Sequence, residues 1–147
     1  MTLKNLLGIS LEVAPVDEAR VARLLAAAER NIADARLVVL STENRFDAAY
    51  KAIMQLAMLA LGANGYRVMT SRPGHHQTAI QSLAASVGVD RDTLIVLDAL
   101  RKQRNLSDYS GDLVTDAAAA ECLASACELR DRVRDWLKRE RPEIKVG

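Results

Sequence analysis

The sequence predicts an all-α protein, with about five helices in one up-and-down bundle. Three observations carry that expectation. Five stretches repeat apolar residues at helical spacing. Each is opened or closed by capping residues or by Gly and Pro. No segment of useful length alternates with the period of a strand. A chain of 147 residues, half of them apolar, suits one domain with a core of its own.

Residues 1–15 read as an irregular N-terminal arm, with Leu6, Leu7 and Leu11 as its apolar content. Pro15 and Asp17 then start the first helix. Val21, Leu24, Leu25, Ala28, Ile32, Ala35 and Val39 share one face of it, and Arg20, Arg23, Glu29, Arg30 and Asp34 take the other. Ser41 or Thr42 caps a second helix from about Glu43 to about Ala63. Phe46, Ala49, Tyr50, Ile53, Leu56, Ala57, Ala60 and Leu61 make its apolar band so wide that it reads as the central helix, packed on several sides. Gly62, Asn64 and Gly65 stop it.

Residues 66–74 read as a loop, closed by Pro73-Gly74. A third helix runs from about His75 to Ser86, with Ile80, Leu83, Ala84 and Val87 inward and Gly88 at its end. Asp90 or Asp92 opens the fourth, which Ser110-Gly111 breaks. Thr115 caps the fifth, assisted by Asp116 near the positive end of the helix dipole. Its inner face is Ala118, Cys122, Ser125, Ala126, Leu129, Val133, Trp136 and Leu137, and Arg130, Asp131, Arg132, Arg134 and Asp135 supply a solvated face. Pro142 ends it. One domain therefore covers residues 16–141, and residues 142–147 form a loose tail.

Bulk properties narrow the function classes. A formal charge of +1 argues against a broad electrostatic surface for nucleic acid, but not against a local basic site. Five aromatic residues are too few for stacking platforms along a single strand. Cys122 and Cys127, five apart on a helix, have no zinc spacing and read as reduced thiols. Nothing in the sequence calls for a cofactor or a metal. The apolar segment after Lys4 is too short for a signal peptide, and the longest apolar run, Leu56 to Leu61, is too short for a bilayer. A cytoplasmic protein with no membrane partner is expected.

The anomaly is polar. After the apolar run Thr93 to Leu97, the fourth helix ends in Arg101, Arg104, Asn105 and Asp108, spaced by three and four. They continue the stripe of Leu94 and Leu97, so they are expected to face the interior or a partner. Tyr109 follows directly.

Three stretches resemble the motifs of the HEPN superfamily of helical bundles (higher eukaryotes and prokaryotes nucleotide-binding). Asn44-Arg45-Phe46-Asp47-Ala48-Ala49-Tyr50 is similar to the start of that family's second helix. Gly74-His75-His76-Gln77-Thr78-Ala79-Ile80 is similar to the His-led start of its third. Arg104-Asn105, with Asp108-Tyr109 behind it, resembles its Arg-Asn signature on the fourth. The likeness covers roughly residues 16–140. It implies a homodimer in which paired fourth helices bring two signatures together, with Arg on the scissile phosphate of RNA and a following His as acid or base without metal. It also implies a toxin–antitoxin setting, with a nucleotidyltransferase as partner.

The chain departs from that pattern at one position: Asp108 stands where the His is expected. A carboxyl with an ordinary pKa of about 4 accepts protons at neutral pH but donates poorly. The resemblance thus assigns Arg101, Arg104, Asn105 and Tyr109 to phosphate or nucleotide. It leaves Arg104, Asp108 and His76 as the candidate catalytic groups, with His76 replacing the missing imidazole if the third helix borders the fourth. Structural readings stay open beside these. Arg104 and Asp108 can be an ion pair fixing helix packing or dimer register. Asn105 can cap or cross-link, and Tyr109 can be a packed phenol. Of His75 and His76, one can be packed and hydrogen-bonded and the other exposed. Arg45 with Asp47, and Tyr66-Arg67, read as packing and ion-pair residues, and Arg67, Arg72 and Arg101 can frame an anion pocket. A non-catalytic dimer that docks a nucleotidyltransferase is the alternative function.

Overall fold

The computed structural model describes residues 2–146 except Asp112, together with the helical placement, but not the side chain, of Tyr109. Helices dominate: α1 (Glu18–Ala35), α2 (Thr42–Ala63), α3 (His75–Gln81), α4 (Leu83–Val87), α5 (Arg91–Ser110) and α6 (Asp116–Glu140). The fold is mostly all-α, as the periodicity predicts. Caps fall where the short polar residues put them. Asp17 accepts from the backbone N–H of Arg20, Ser41 from Asn44, Asp90 from Thr93 and Thr115 from Ala118, all at 3.0–3.2 Å.

α2 organises the bundle. It packs against every other α-helix and against β2 (Tyr66–Val68), most extensively against α1 and α6. From Phe46 to Ala63 only Asp47, Ala48, Lys51, Gln55 and Met58 escape full burial, and these fall on one stripe. The alanines at 49, 52, 57, 60 and 63 let neighbouring helices approach closely. No helix among the described residues is long and apolar enough to cross a membrane.

Four local expectations are corrected. The arm is not irregular: a 3-10 turn at Leu3–Leu6 leads into strand β1 (Leu11–Val13), which pairs antiparallel with β2, Leu11 opposite Val68. Three residues are too few for alternation to show in a sequence. α1 stops at Ala35, so Val39 leaves the inner face and is 87% exposed. There Arg45 Nε donates to the Ala35 carbonyl at 2.8 Å and satisfies one of the helix's terminal acceptors. The third predicted helix is two, α3 and α4, interrupted at Ser82. Its buried hydroxyl donates back to the Ala79 carbonyl at 2.7 Å, a contact that bends helices. The tail is anchored, not loose, by the buried Ile144. Arg141 holds the same end, donating from Nε to the Ala63 carbonyl and lying 5.5 Å from the centre of the Trp136 ring.

The central position of α2 makes a sharp contrast between its faces. Leu56→Ala, at a fully buried position, is expected to cost about 2–5 kcal/mol. Lys51→Ala on the uncovered stripe should stay within about 0.5 kcal/mol. Urea denaturation of the two variants beside the parent chain measures both.

Candidate functional site

The uncovered stripe of α2 is the floor of a cleft of about 470 Å³, walled by α3 and α5. All five incompletely buried residues of α2 between Asp47 and Met58 line it. Tyr50 joins them from α2, His76 from the first turn of α3 and Arg104 from α5. Gly74 places His76. It precedes α3 in the left-handed region at φ 75°, which a residue with a Cβ adopts only under strain, and so turns the chain from the β2 segment into the helix.

Arg104 is the centre of the site. Its guanidinium lies 5.1 Å from the centre of the Tyr50 ring, a cation–π geometry. Two carboxylates flank it, Asp47 at 3.8 Å and Asp108 at 3.9 Å. Both separations are too long for hydrogen bonds. Arg104 Nε is buried yet makes no hydrogen bond among the described residues. The charge is thus held by Coulomb attraction and a ring face, and its donors are uncommitted. Arg101 differs. Its side chain is only 14% exposed, and its Nε donates to Asp98 at 2.8 Å. That bond is the main reason the Asp98 carboxyl sits below its ordinary value.

The cleft also shifts its own titrating groups. The Tyr50 hydroxyl and His76 Nδ1 are 3.3 Å apart. Burial pushes the phenol up to about 12, against the pull of Arg104 and Arg101. Burial also lowers His76, reinforced by His75, which packs edge-on at 4.8 Å between ring centres, and by Arg104 and Arg101. Asp47 is raised by burial. Arg104 opposes that rise, and Asp108 and Glu43 add to it. Near neutral pH the cleft therefore holds a neutral imidazole and a neutral phenol beside a guanidinium.

Of the residues picked from the sequence, Arg104 and His76 meet in this cleft. Asn105 and Asp108 point outward: Asn105 is exposed and Asp108 is 54% exposed, so the polar stripe turns to solvent after Arg104. The Tyr109 side chain lies outside the described residues. Arg45 and Asp47 serve separate partners: Arg45 donates to the Ala35 carbonyl, and Asp47 faces Arg104. The frame of Arg67, Arg72 and Arg101 does not assemble. Arg67 pairs with Glu12 at 2.6 Å across the strands and lines a separate cleft with Arg20. Tyr50, Asp47 and Lys51 also line the cleft; the sequence reading placed Tyr50 in the core and Asp47 among ion-pair residues, and did not single out Lys51. Their signal was present in the four-residue step from Asp47 to Lys51 on an otherwise buried helix. Among the described residues no group of three or more His, Cys, Asp or Glu is placed to hold a metal ion. Comparison with protein-family models, curated proteins and solved structures returns no match.

The lowered His76 has a consequence for stability. The unfolded chain takes up the imidazole proton first, near pH 6.5, while the folded chain resists it. The stability that His76 contributes as a neutral group is therefore present above about pH 6.5 and is lost as pH falls through its lower folded value. His76→Asn should remove that loss. The gap between the melting temperatures of wild type and variant should change between pH 7.5 and 5, with the wild type falling faster. Parallel curves would mean that the imidazole titrates freely.

Proposed function

We propose that the protein binds RNA or nucleotide phosphate in the cleft over α2 and acts as a HEPN-type ribonuclease in which His76, not Asp108, moves the proton. One observation carries this reading: Arg104, whose guanidinium makes no hydrogen bond among the described residues, lines a partly enclosed cleft together with His76, whose proton affinity is lowered. A guanidinium offers up to five N–H donors in a fork that fits phosphate oxygens. Asp47 and Asp108, at near 4 Å, hold Arg104 in place without saturating it, so an arriving phosphate competes with water and weak ion pairs.

The chemistry then runs on His76. Its neutral ring accepts the proton of a ribose 2′-hydroxyl as that oxygen attacks phosphorus. The bond from phosphorus to the 5′ oxygen breaks, leaving a 2′,3′-cyclic phosphate. The imidazolium, kept acidic by burial and two guanidiniums, returns the proton to the leaving 5′ oxygen. Arg104 neutralises the charge that accumulates on the phosphoryl oxygens. Tyr50 fixes the ring through the 3.3 Å contact.

In this reading the protein is a cytoplasmic homodimer, partnered in a toxin–antitoxin setting by a nucleotidyltransferase. Support for the dimer is the outer face of α5, where Ile95 and Leu106 are 58% and 68% exposed. The non-catalytic docking reading has its own support. Leu37, Val38, Val39 and Leu113 are exposed on the loops that lead into α2 and α6, and those two helix starts are tied by the Thr42–Asp116 hydrogen bond of 2.8 Å. That end of the bundle offers apolar surface with no role in the cleft.

An RNA cleavage assay with four chains side by side tests the proposal. Arg104→Ala should weaken RNA binding by at least about tenfold, since charged hydrogen bonds contribute ~1.5–3 kcal/mol. His76→Asn should bind normally and cleave about a hundredfold more slowly or worse. Asp108→Asn should stay near wild type. Equal cleavage by wild type and His76→Asn sinks the proton-transfer role. Absence of cleavage in all four, with a nucleotidyltransferase captured by wild type and lost in Val38→Asp, favours docking. Leu106→Asp should shift sedimentation from dimer to monomer.

A further inference from the structure

The cleft at Arg104 does not end at the edge of α2. Lys51 and Gln55 also line a second cleft, of about 380 Å³, on the side of the stripe that faces α1. The two hollows therefore adjoin across this pair of residues, making a trough from Arg104 over α2 to Arg30 and Asn31. Its far half contains an amide pair: Asn31 Nδ2 donates to Gln55 Oε1 at 2.8 Å, half-buried between α1 and α2.

One amide bonded to another in this way leaves a definite remainder. Asn31 keeps its carbonyl oxygen as an acceptor, and Gln55 keeps its amide nitrogen as a donor. Neither has a further partner among the described residues. Were both amides turned over, one oxygen and one nitrogen would again be left unengaged. An adjacent donor and acceptor fit the hydrogen-bonding edge of a nucleobase, as Asn and Gln side chains do singly with adenine. Arg30 lines the same hollow and supplies a positive charge for a phosphate there.

We propose that the trough binds a single-stranded segment of at least two nucleotides. Resting on the phosphate reading of Arg104, it places the base of the adjoining nucleotide on the Asn31–Gln55 pair. This subsite reads a base edge without stacking, which suits a chain so poor in aromatic residues. It also sets the ligand class: a short oligonucleotide is held in preference to a mononucleotide.

Calorimetric titration with three ligands tests this: AMP, the dinucleotide pApA, and its analogue lacking the second base. Wild type should bind pApA about tenfold more tightly than AMP, and the abasic analogue should fall back to the AMP value. The variant Asn31→Leu, on α1 and outside the lining of the Arg104 cleft, removes the amide pair. It should lose the advantage of pApA and keep AMP binding unchanged. If it fails to fold by thermal melting, Arg30→Ala, at an exposed position, should still lower pApA affinity and spare AMP. Equal binding of pApA and the abasic analogue overturns the base subsite and leaves Arg104 as a phosphate ligand. AMP binding unaltered by Arg104→Ala overturns the phosphate reading, and the subsite as placed here with it.

Discussion

The structure depends on one constraint: α2 must be buried on almost every side. Twenty-two residues with little charge past the first turns cannot sit at a surface. α1 and α6 cover it along its length, and α3, α4, α5 and β2 cover the rest. Six neighbours around one helix still cannot close the circle. What they leave is a single stripe, and the residues on it are polar or adaptable: Asp47, Ala48, Lys51, Gln55 and Met58. The candidate site is the seam of the bundle, and its position follows from the packing before any chemistry is assigned.

The same packing sets the electrostatics. Tyr50 belongs to the buried face, so its ring is rigid and its hydroxyl is desolvated. A guanidinium placed over such a ring is attracted to the face and loses less to water than an exposed one. Arg104 thereby gains an anchor that uses none of its N–H groups. Compare Arg101, three residues earlier, whose hydrogen bond to Asp98 uses its Nε directly. Both arginines belong to one predicted cluster, and the sequence treats them alike. They differ in the hydrogen bonds they make because one lies against a ring, with carboxylates only near 4 Å, and the other donates directly to a carboxylate.

The fold was legible where the signals are strong and local. Helix starts at Asp17, Ser41, Asp90 and Thr115 are written in capping residues, and α2 announces its centrality through its missing charges. What was not legible depends on distant partners or on very short elements. Val39 continues the apolar period of α1, yet the helix ends four residues earlier, where Arg45 from the next helix meets a terminal carbonyl. Three-residue strands give no periodic signal, and Ile144 is buried only because the tail folds back on the bundle. In the site, Arg104 and His76 were visible as motif residues. Their meeting was not, because it requires α3 to border α5, a tertiary fact.

Asp108 shows why geometry must outrank position in a motif. It occupies the place of the expected imidazole, but at that step α5 has turned its face to solvent, and the carboxylate is more than half exposed. Its oxygen stands 3.9 Å from the guanidinium, beyond hydrogen-bond reach, and Asp108 is not among the residues that line the cleft. His76 reaches the same guanidinium from another helix, inside the cleft, with its proton affinity reduced by burial and by neighbouring charges. A group that gives up its proton readily and regains neutrality at once is suited to both halves of a proton transfer. Within this bundle that combination arises where α3 leans over the uncovered stripe of α2.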